Sequence, residues 1–353
     1  MVSHGSGAQD CIGIIANPVS ARDVRRIVAN ASSLQISERV NIVLRVLSTV
    51  RSFGVKRVLM MPDRAGIRAM LTRHLNRERN LHHVFPEVEF LDINAASTVD
   101  DTILAARMMG EAGVRAIVVL GGDGTHRAVI KGCSTVPIAG LSTGTNNAFP
   151  EMREPTIAAM AVALYATGRL SAAQALASNK VLHVSINDGE RQDIALVDAV
   201  ISTDRYIGSR ALWKTDSLRE VYLTFADPQA IGLSALGGLL QPVGRRDPGG
   251  LAVRLSDDPA TRRLWLRVPI APGMIRDAGI ADWEQMPADS EFAVGLQAGI
   301  VALDGEREMP FDTNDRVRIT VRSNAFSTVD VARCMQIAAC EGMFRFTSQT
   351  DQT

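Results

Sequence analysis

The pentapeptide Gly121-Gly122-Asp123-Gly124-Thr125 follows directly on the apolar run Ala116-Ile117-Val118-Val119-Leu120. A buried strand that ends in three glycines around one acid and one hydroxyl leaves few folds open. Glycine lets the backbone approach an anion closely and adopt positive φ without steric cost. The residues that follow, Thr125 to Lys131, can start a helix whose free N–H groups and dipole favour a phosphate. Asp123 is the odd member. An acid where anions should bind makes sense if it meets a metal ion or takes a proton from a hydroxyl; the plain alternative is a helix cap.

The flanking sequence alternates in the βαβ manner. Cys11 to Ala16 is a short apolar strand, and Asn17-Pro18-Val19-Ser20 is the loop after it. A helical zone runs to about Phe53, with Ile36, Val40, Val43, Leu44 and Leu47 at helical spacing. Val55–Met61, Val88–Asp92 and Val136–Leu141 read as further strands, and 66–75 and 98–113 as helices. This order predicts a Rossmann-like, doubly wound parallel sheet over residues 11–150, with ligands at the carboxyl ends of its strands. Asn17-Pro18, the glycine turn and Ser142-Thr143-Gly144-Thr145-Asn146-Asn147 all follow strands. Three polar loops are therefore expected on one rim of one sheet.

After Pro150 the texture changes. Residues 157–176 are alanine-rich and helical, interrupted near Gly168-Arg169. Short, often alternating segments follow at 181–186, 251–255, 263–268, 292–294 and 316–321, separated by turn signals such as Asn187-Asp188-Gly189. Residues 151–325 thus read as an antiparallel β-sandwich domain. A last helix, 327–341, is expected to end at Gly342 and to pack back on the first domain.

A length of 353 residues suits two such domains. Lys+Arg and Asp+Glu both count 38, so net charge draws the protein neither to nucleic acid nor to anionic lipid. Residues 1–10 read as a disordered tail without the features of a signal peptide, and no apolar stretch reaches bilayer length. The four cysteines show no metal-ligand spacing and are expected as free thiols in a reducing cytoplasm.

The glycine turn together with Gly144-Thr145-Asn146-Asn147 resembles the ATP-NAD kinase superfamily, which includes the diacylglycerol and sphingosine kinase catalytic domains. Ile14-Ile15-Ala16-Asn17-Pro18, the string Leu141 to Pro150 and Ala195-Leu196-Val197-Asp198 are most similar to one branch, acetoin catabolism protein X. The resemblance spans nearly the whole chain. It implies an NAD kinase-like fold and phosphoryl transfer from ATP, with Mg²⁺, to a hydroxyl of NAD or another small metabolite. Polyphosphate replaces ATP in some relatives, and homo-oligomers are common among them. The alternatives are a diacylglycerol-type lipid kinase, for which no basic amphipathic segment is present, and a nucleotide-binding protein that has lost catalysis.

The resemblance assigns roles residue by residue. Asp123 matches the acid that faces the acceptor hydroxyl. Asn17, Gly121, Gly122, Gly124, Thr125, Thr143, Gly144, Thr145, Asn146 and Asn147 match nucleotide-binding positions, and Asp198 a substrate-binding one. No Gly-x-x-x-x-Gly-Lys-Ser/Thr run occurs, so the glycine turn must do the work of a P-loop. Asp304-Gly305-Glu306 resembles an element of the lipid-kinase branch, which makes Glu306 a second candidate base and Asp304 a metal ligand; an ordinary hairpin turn explains the same residues. NAD kinases carry an amide after Ala-Leu where this chain has Val197, a departure that counts against NAD as acceptor. His126 is expected as an exposed first-turn histidine rather than a phosphate contact, Arg245-Arg246 as a surface turn, and Arg205 and Arg210 as an anion site or, equally, parts of a solvated loop. His82-His83 is not expected to bind metal.

Overall fold

The computed structural model describes residues 10–18, 34–78, 85–144, 147–203, 217–305 and 307–345. The expected tail up to residue 9, most of the helical zone before Leu34, His82-His83, Arg205, Arg210, Thr145, Asn146 and Glu306 lie outside the described residues. In chain order the first half runs β1 (Cys11–Ala16), α1 (Ile36–Ser52), β2 (Arg57–Met60), α2 (Ile67–Glu78), β3 (Glu87–Phe90), α3 (Val99–Glu111), β4 (Ile117–Gly121), α4 (Asp123–Gly132) and β5 (Ile138–Ser142).

Both β1 and β4 are buried at every position, as central strands of a sheet covered on two faces must be. They pair in parallel, with β2 and then β3 beyond β1, and β5 beyond β4. Helix α1 buries Val40, Val43, Val46, Leu47 and Val50 on one face, the stripe anticipated from its spacing. Thr98 and Asp101 close a capping box on α3, so its first-turn acid satisfies amides as well as the dipole.

The second half contains α5 (Pro155–Ala166), a short α6 (Ala172–Ala175), β6 (Leu176–Ile186), β7 (Arg191–Ala195), β8 (Asp198–Ser202), β9 (Leu218–Leu223), α7 (Leu233–Leu240), β10 (Gly250–Leu255), β11 (Leu264–Ala271), β12 (Met274–Met286), β13 (Glu291–Ala293), β14 (Gly299–Leu303), β15 (Arg307–Phe311), β16 (Val317–Val329) and α8 (Val331–Cys340). Seven strands form a separate antiparallel sheet in the order β11-β12-β10-β9-β8-β14-β15. The others join the first sheet, which reads β3-β2-β1-β4-β5-β16-β6-β7 with β13 beside β16. One apolar cluster, including Leu182, Val184, Tyr222, Val301 and Ile319, fills the space between this antiparallel extension and the second sheet.

The expected boundaries at 150 and 325 therefore do not divide the sheets. Strand β16 pairs antiparallel with β6 and makes a parallel bridge to β5 at Thr328 and Ile138, welding the two halves. The last helix begins at Val331 and not at Ser327. Ser327, Thr328 and Val329 are taken by β6, and Asp330 then caps the helix by accepting the Arg333 N–H. Helix α5 is buried nearly all round and shares an apolar cluster with α1 and α8, through residues such as Val43, Val162 and Cys334. Among the described residues no helix is long and apolar enough to cross a membrane.

Candidate functional site

Parallel pairing brings the carboxyl ends of β1, β4 and β5 to one rim, with Ala16 opposite Leu120 and Gly121 opposite Ser142. The loops that leave this rim are tied together by side chains. Asn17 Nδ2 donates to Thr125 Oγ1 at 3.0 Å. Asn147 Nδ2 donates to Ser142 Oγ at 2.9 Å and to Gly144 O at 3.3 Å. The glycines let these side chains close over the backbone. A Cβ at Gly121 would lie 2.6 Å from the Thr125 side chain, and one at Gly122 would lie 2.8 Å from Asn147 Oδ1. Gly122 is the N-cap of α4 and offers no side-chain cap, so nothing from that position covers the first-turn N–H groups. Gly124 and Thr143 are buried, and the Thr143 hydroxyl has no hydrogen-bond partner among the described residues.

Asp123 is the first residue of α4 and is half-buried. Its Oδ2 accepts the Ala148 N–H at 3.0 Å and its Oδ1 the Phe149 N–H at 2.9 Å. The acid of the glycine turn is thus clamped to the segment after the second polar loop. Two amides use two of the roughly four lone-pair sites of a carboxylate.

His126, expected to be exposed, is fully buried. Its ring packs 5.7 Å from that of Phe149, and a Cβ on Gly140 would stand 2.7 Å from its Nε2. Nδ1 lies 2.8 Å from Gly122 O, which assigns the proton to Nδ1. Burial pushes the imidazole down to about 4, opposed by that hydrogen bond. It is a neutral packing group under the glycine turn, because the roof over α4 is built by β5 and the following loop, both remote from His126 in sequence.

Asp304, expected as a metal ligand, is used otherwise. It sits at the β14–β15 turn with φ 48°, next to Gly305 with φ 72°. Its carboxylate is buried and accepts N–H groups from Leu196 at 3.0 Å, Val197 at 2.8 Å and Asp198 at 3.3 Å. Arg127 of α4 stands 3.7 Å from Oδ2 and donates to Leu303 O at 2.7 Å. Burial pushes this carboxyl above the usual carboxylate range, opposed first by Arg127 and then by the three amides. The hairpin reading of Asp304-Gly305 fits this geometry, and the acid works as a clamp that pins residues 196–198 to α4. Asp198, half-buried at the start of β8, is held in place by that clamp. Val197 is buried among Leu196, Phe149, Phe225 and Phe326, an apolar core residue.

Three further residues hold the loops around this rim. Arg39 is almost fully buried and donates to Asn17 O at 2.6 Å and Leu34 O at 3.2 Å. Its place four residues before Val43, on the apolar face of α1, was a readable signal. Lys180 is buried and donates to the carbonyls of Gly244, Asp247 and Gly249. Arg245 leaves the surface turn assigned to it and donates to the carbonyls of Ala148 and Phe149. Nothing local marks either long-range role.

Among the described residues no group of three or more His, Cys, Asp or Glu could hold a metal ion. The uncapped helix start and the glycine backbone fit a phosphate-bearing ligand. A magnesium ion, which is commonly held by substrate phosphates with one or two carboxylates, would enter with such a ligand.

Comparison with known proteins gives a consistent pattern. The ATP-NAD kinase N-terminal domain matches residues 12–170, and the acetoin catabolism protein X C-terminal domain matches residues 180–324. Acetoin catabolism protein X of Cupriavidus necator is 56% identical over 351 residues, covering 98% of each chain. The crystal structure of yeast NADH kinase complexed with NADH superposes with a TM-score of 0.50 at 12% identity, over 98% of this chain and 94% of that one. The fold is therefore the two-domain NAD kinase-like fold.

Proposed function

The chain belongs to the acetoin catabolism protein X family and has an ATP-NAD kinase-like first half; on that premise we propose that it transfers a phosphoryl group from a nucleoside triphosphate to a hydroxyl of a small acceptor. The observation that carries this reading is the convergence of Asn17, the 121–125 turn and Asn147 around Asp123 on one sheet rim. Such transfer depends on positioned phosphates and an oriented nucleophile more than on covalent help.

In this reading the first-turn N–H groups of α4 and the Thr125 hydroxyl receive phosphate oxygens, with Asn17 orienting Thr125. Asn147 closes over the glycine backbone and, with Thr143 and Gly144, borders the same ligand. Asp123 accepts the proton of the acceptor hydroxyl, and Asp198, fixed by the Asp304 clamp, contacts the acceptor. Bound magnesium would supply charge neutralisation on the phosphates. NAD belongs in the test because the yeast relative holds NADH. Buried Val197 counts against NAD as the acceptor, since a site that lacks a hydrogen-bonding amide loses discrimination for the group it would bind.

A second reading, a nucleotide-responsive binding protein without turnover, is favoured by the two amides already seated on Asp123. One assay separates them. The protein is incubated with ATP or polyphosphate, Mg²⁺ and, in turn, NAD, small diols, hydroxyketones and dispersed diacylglycerol, and phosphorylated product is measured. Turnover on one acceptor, reduced at least about 100-fold in Asp123→Asn, supports the kinase. Nucleotide binding without product from any acceptor refutes it in favour of the second reading.

A further inference from the structure

A guanidinium and a carboxylate face each other across a single peptide group. The Phe149 N–H donates to Asp123 Oδ1 at 2.9 Å, and the carbonyl of that same peptide, Ala148 O, accepts from Arg245 Nη2. The flanking peptides each carry one half of the pattern: Ala148 N–H reaches Asp123 Oδ2 at 3.0 Å, and Phe149 O, whose peptide nitrogen is that of Pro150, accepts from Arg245 Nη1 at 2.9 Å. Residues 147–149 belong to no helix or strand, so no ladder fixes their position.

Arg245 is itself held firmly. Its guanidinium lies 4.2 Å from the Phe225 ring centroid and 5.7 Å from that of Phe149. Lys180, on β6, grips the same loop through Gly244 O at 3.1 Å, Asp247 O at 2.6 Å and Gly249 O at 2.8 Å. Asp247 Oδ2 also accepts the Gly244 N–H at 2.7 Å. The charged groups that act on Arg245 are Glu151, Asp123 and Asp227, which favour its cationic form, and Arg153, which opposes it; burial outweighs them and lowers its pKa.

We propose that Arg245 is a positioning residue for Asp123: it polarises the 148–149 peptide, whose Phe149 N–H is aimed at the carboxylate, and fixes the segment that presents both amides, so that the carboxylate is held ionised and oriented. A peptide whose carbonyl binds a cation donates more strongly through its N–H, by roughly 10–30% per bond in a condensed phase. The consequence for turnover rests on the kinase reading above. The effect on the carboxylate rests on the hydrogen-bond geometry alone.

Arg245→Met removes the charge and both carbonyl contacts, while Arg245→Lys keeps the charge and reaches one carbonyl at most. The carboxyl ¹³C signal of Asp123, identified by its loss in Asp123→Asn, is followed against pH in wild type and both variants. Titration of that signal moves to higher pH in Arg245→Met and by a smaller step in Arg245→Lys, which also reports should the methionine variant not fold. With an acceptor that is phosphorylated, kcat falls at least about 10-fold in Arg245→Met and the acid limb of its pH profile moves the same way, while KM for the nucleotide stays within about 2-fold. Identical titration of Asp123 in all three proteins, with only the urea midpoint lowered, overturns the proposal and leaves Arg245 a strut. A shifted carboxyl in a protein whose wild type phosphorylates nothing sinks the kinase reading and upholds the positioning role.

Discussion

Replacing Asp304 by alanine tests most directly how the two halves are coupled at the site. The carboxylate accepts three N–H groups at 2.8–3.3 Å and stands 3.7 Å from Arg127, all of it buried. A buried donor left without a partner costs about 1–3 kcal/mol, and removing one member of a buried ion pair about 3–5 kcal/mol. These costs overlap, because water that enters the vacated space serves several donors at once. The expected loss is therefore about 3–5 kcal/mol and not their sum. Asp304→Asn keeps the shape, one acceptor oxygen and a side chain that tolerates φ 48°, so it should cost about half as much. Urea unfolding of both variants gives the numbers. A double-mutant cycle with Arg127→Met should show a coupling of at least about 1 kcal/mol, the double variant losing less than the two singles combined. A loss below about 1 kcal/mol in Asp304→Ala would refute the clamp. So would wild-type stability that rises with Mg²⁺ and ceases to do so in the variant, since that outcome marks a metal ligand.

Two other perturbations probe the rim. His126 has a folded-state pKa of about 4 against an ordinary 6.5, so the unfolded chain binds the extra proton first on acidification. The stability it contributes is complete above the ordinary value and is lost as pH falls from there through about 4, roughly 3 kcal/mol in all. Urea midpoints at pH 7 and pH 5 should diverge less in His126→Gln than in wild type, and an equal divergence disproves the assignment. Gly122→Ala has an open φ of −96° but places a Cβ 2.8 Å from Asn147 Oδ1. It should weaken ADP binding by at least about 10-fold in a calorimetric titration while costing only about 1 kcal/mol of stability. Unchanged ADP affinity would show that closure of Asn147 over the glycine turn has no part in holding the nucleotide.

The chemical neighbourhood was legible in the chain to the extent that it is local. The strand, the glycine turn and a helix after it follow from hydrophobic period and glycine placement, although the helix starts at Asp123, two residues before the expected Thr125; parallel pairing then brings Asn17 and Asn147 to the same rim. The apolar stripe of α1 was equally plain, and Arg39 within it could have been noticed as a cation on a buried face. The burial of His126 is not legible locally, because burial at one helix turn depends on what roofs it, and that roof is Gly140 and Phe149.

By itself the sequence determined the alternation of strands and helices, the glycine turn with its acid, and the switch to antiparallel segments after Pro150. Each of these is encoded in the spacing of apolar residues or in the backbone freedom of glycine, which act over a few residues at a time. Tertiary structure alone decided that β16 would join the two halves, that Asp304 would hold residues 196–198 to α4, and that Arg245 would face Asp123 across a peptide. Partners for these buried charges come from segments about 100 residues or more away in the chain. A charge in low dielectric must be matched wherever the fold puts it, and no local pattern announces where the match will be found.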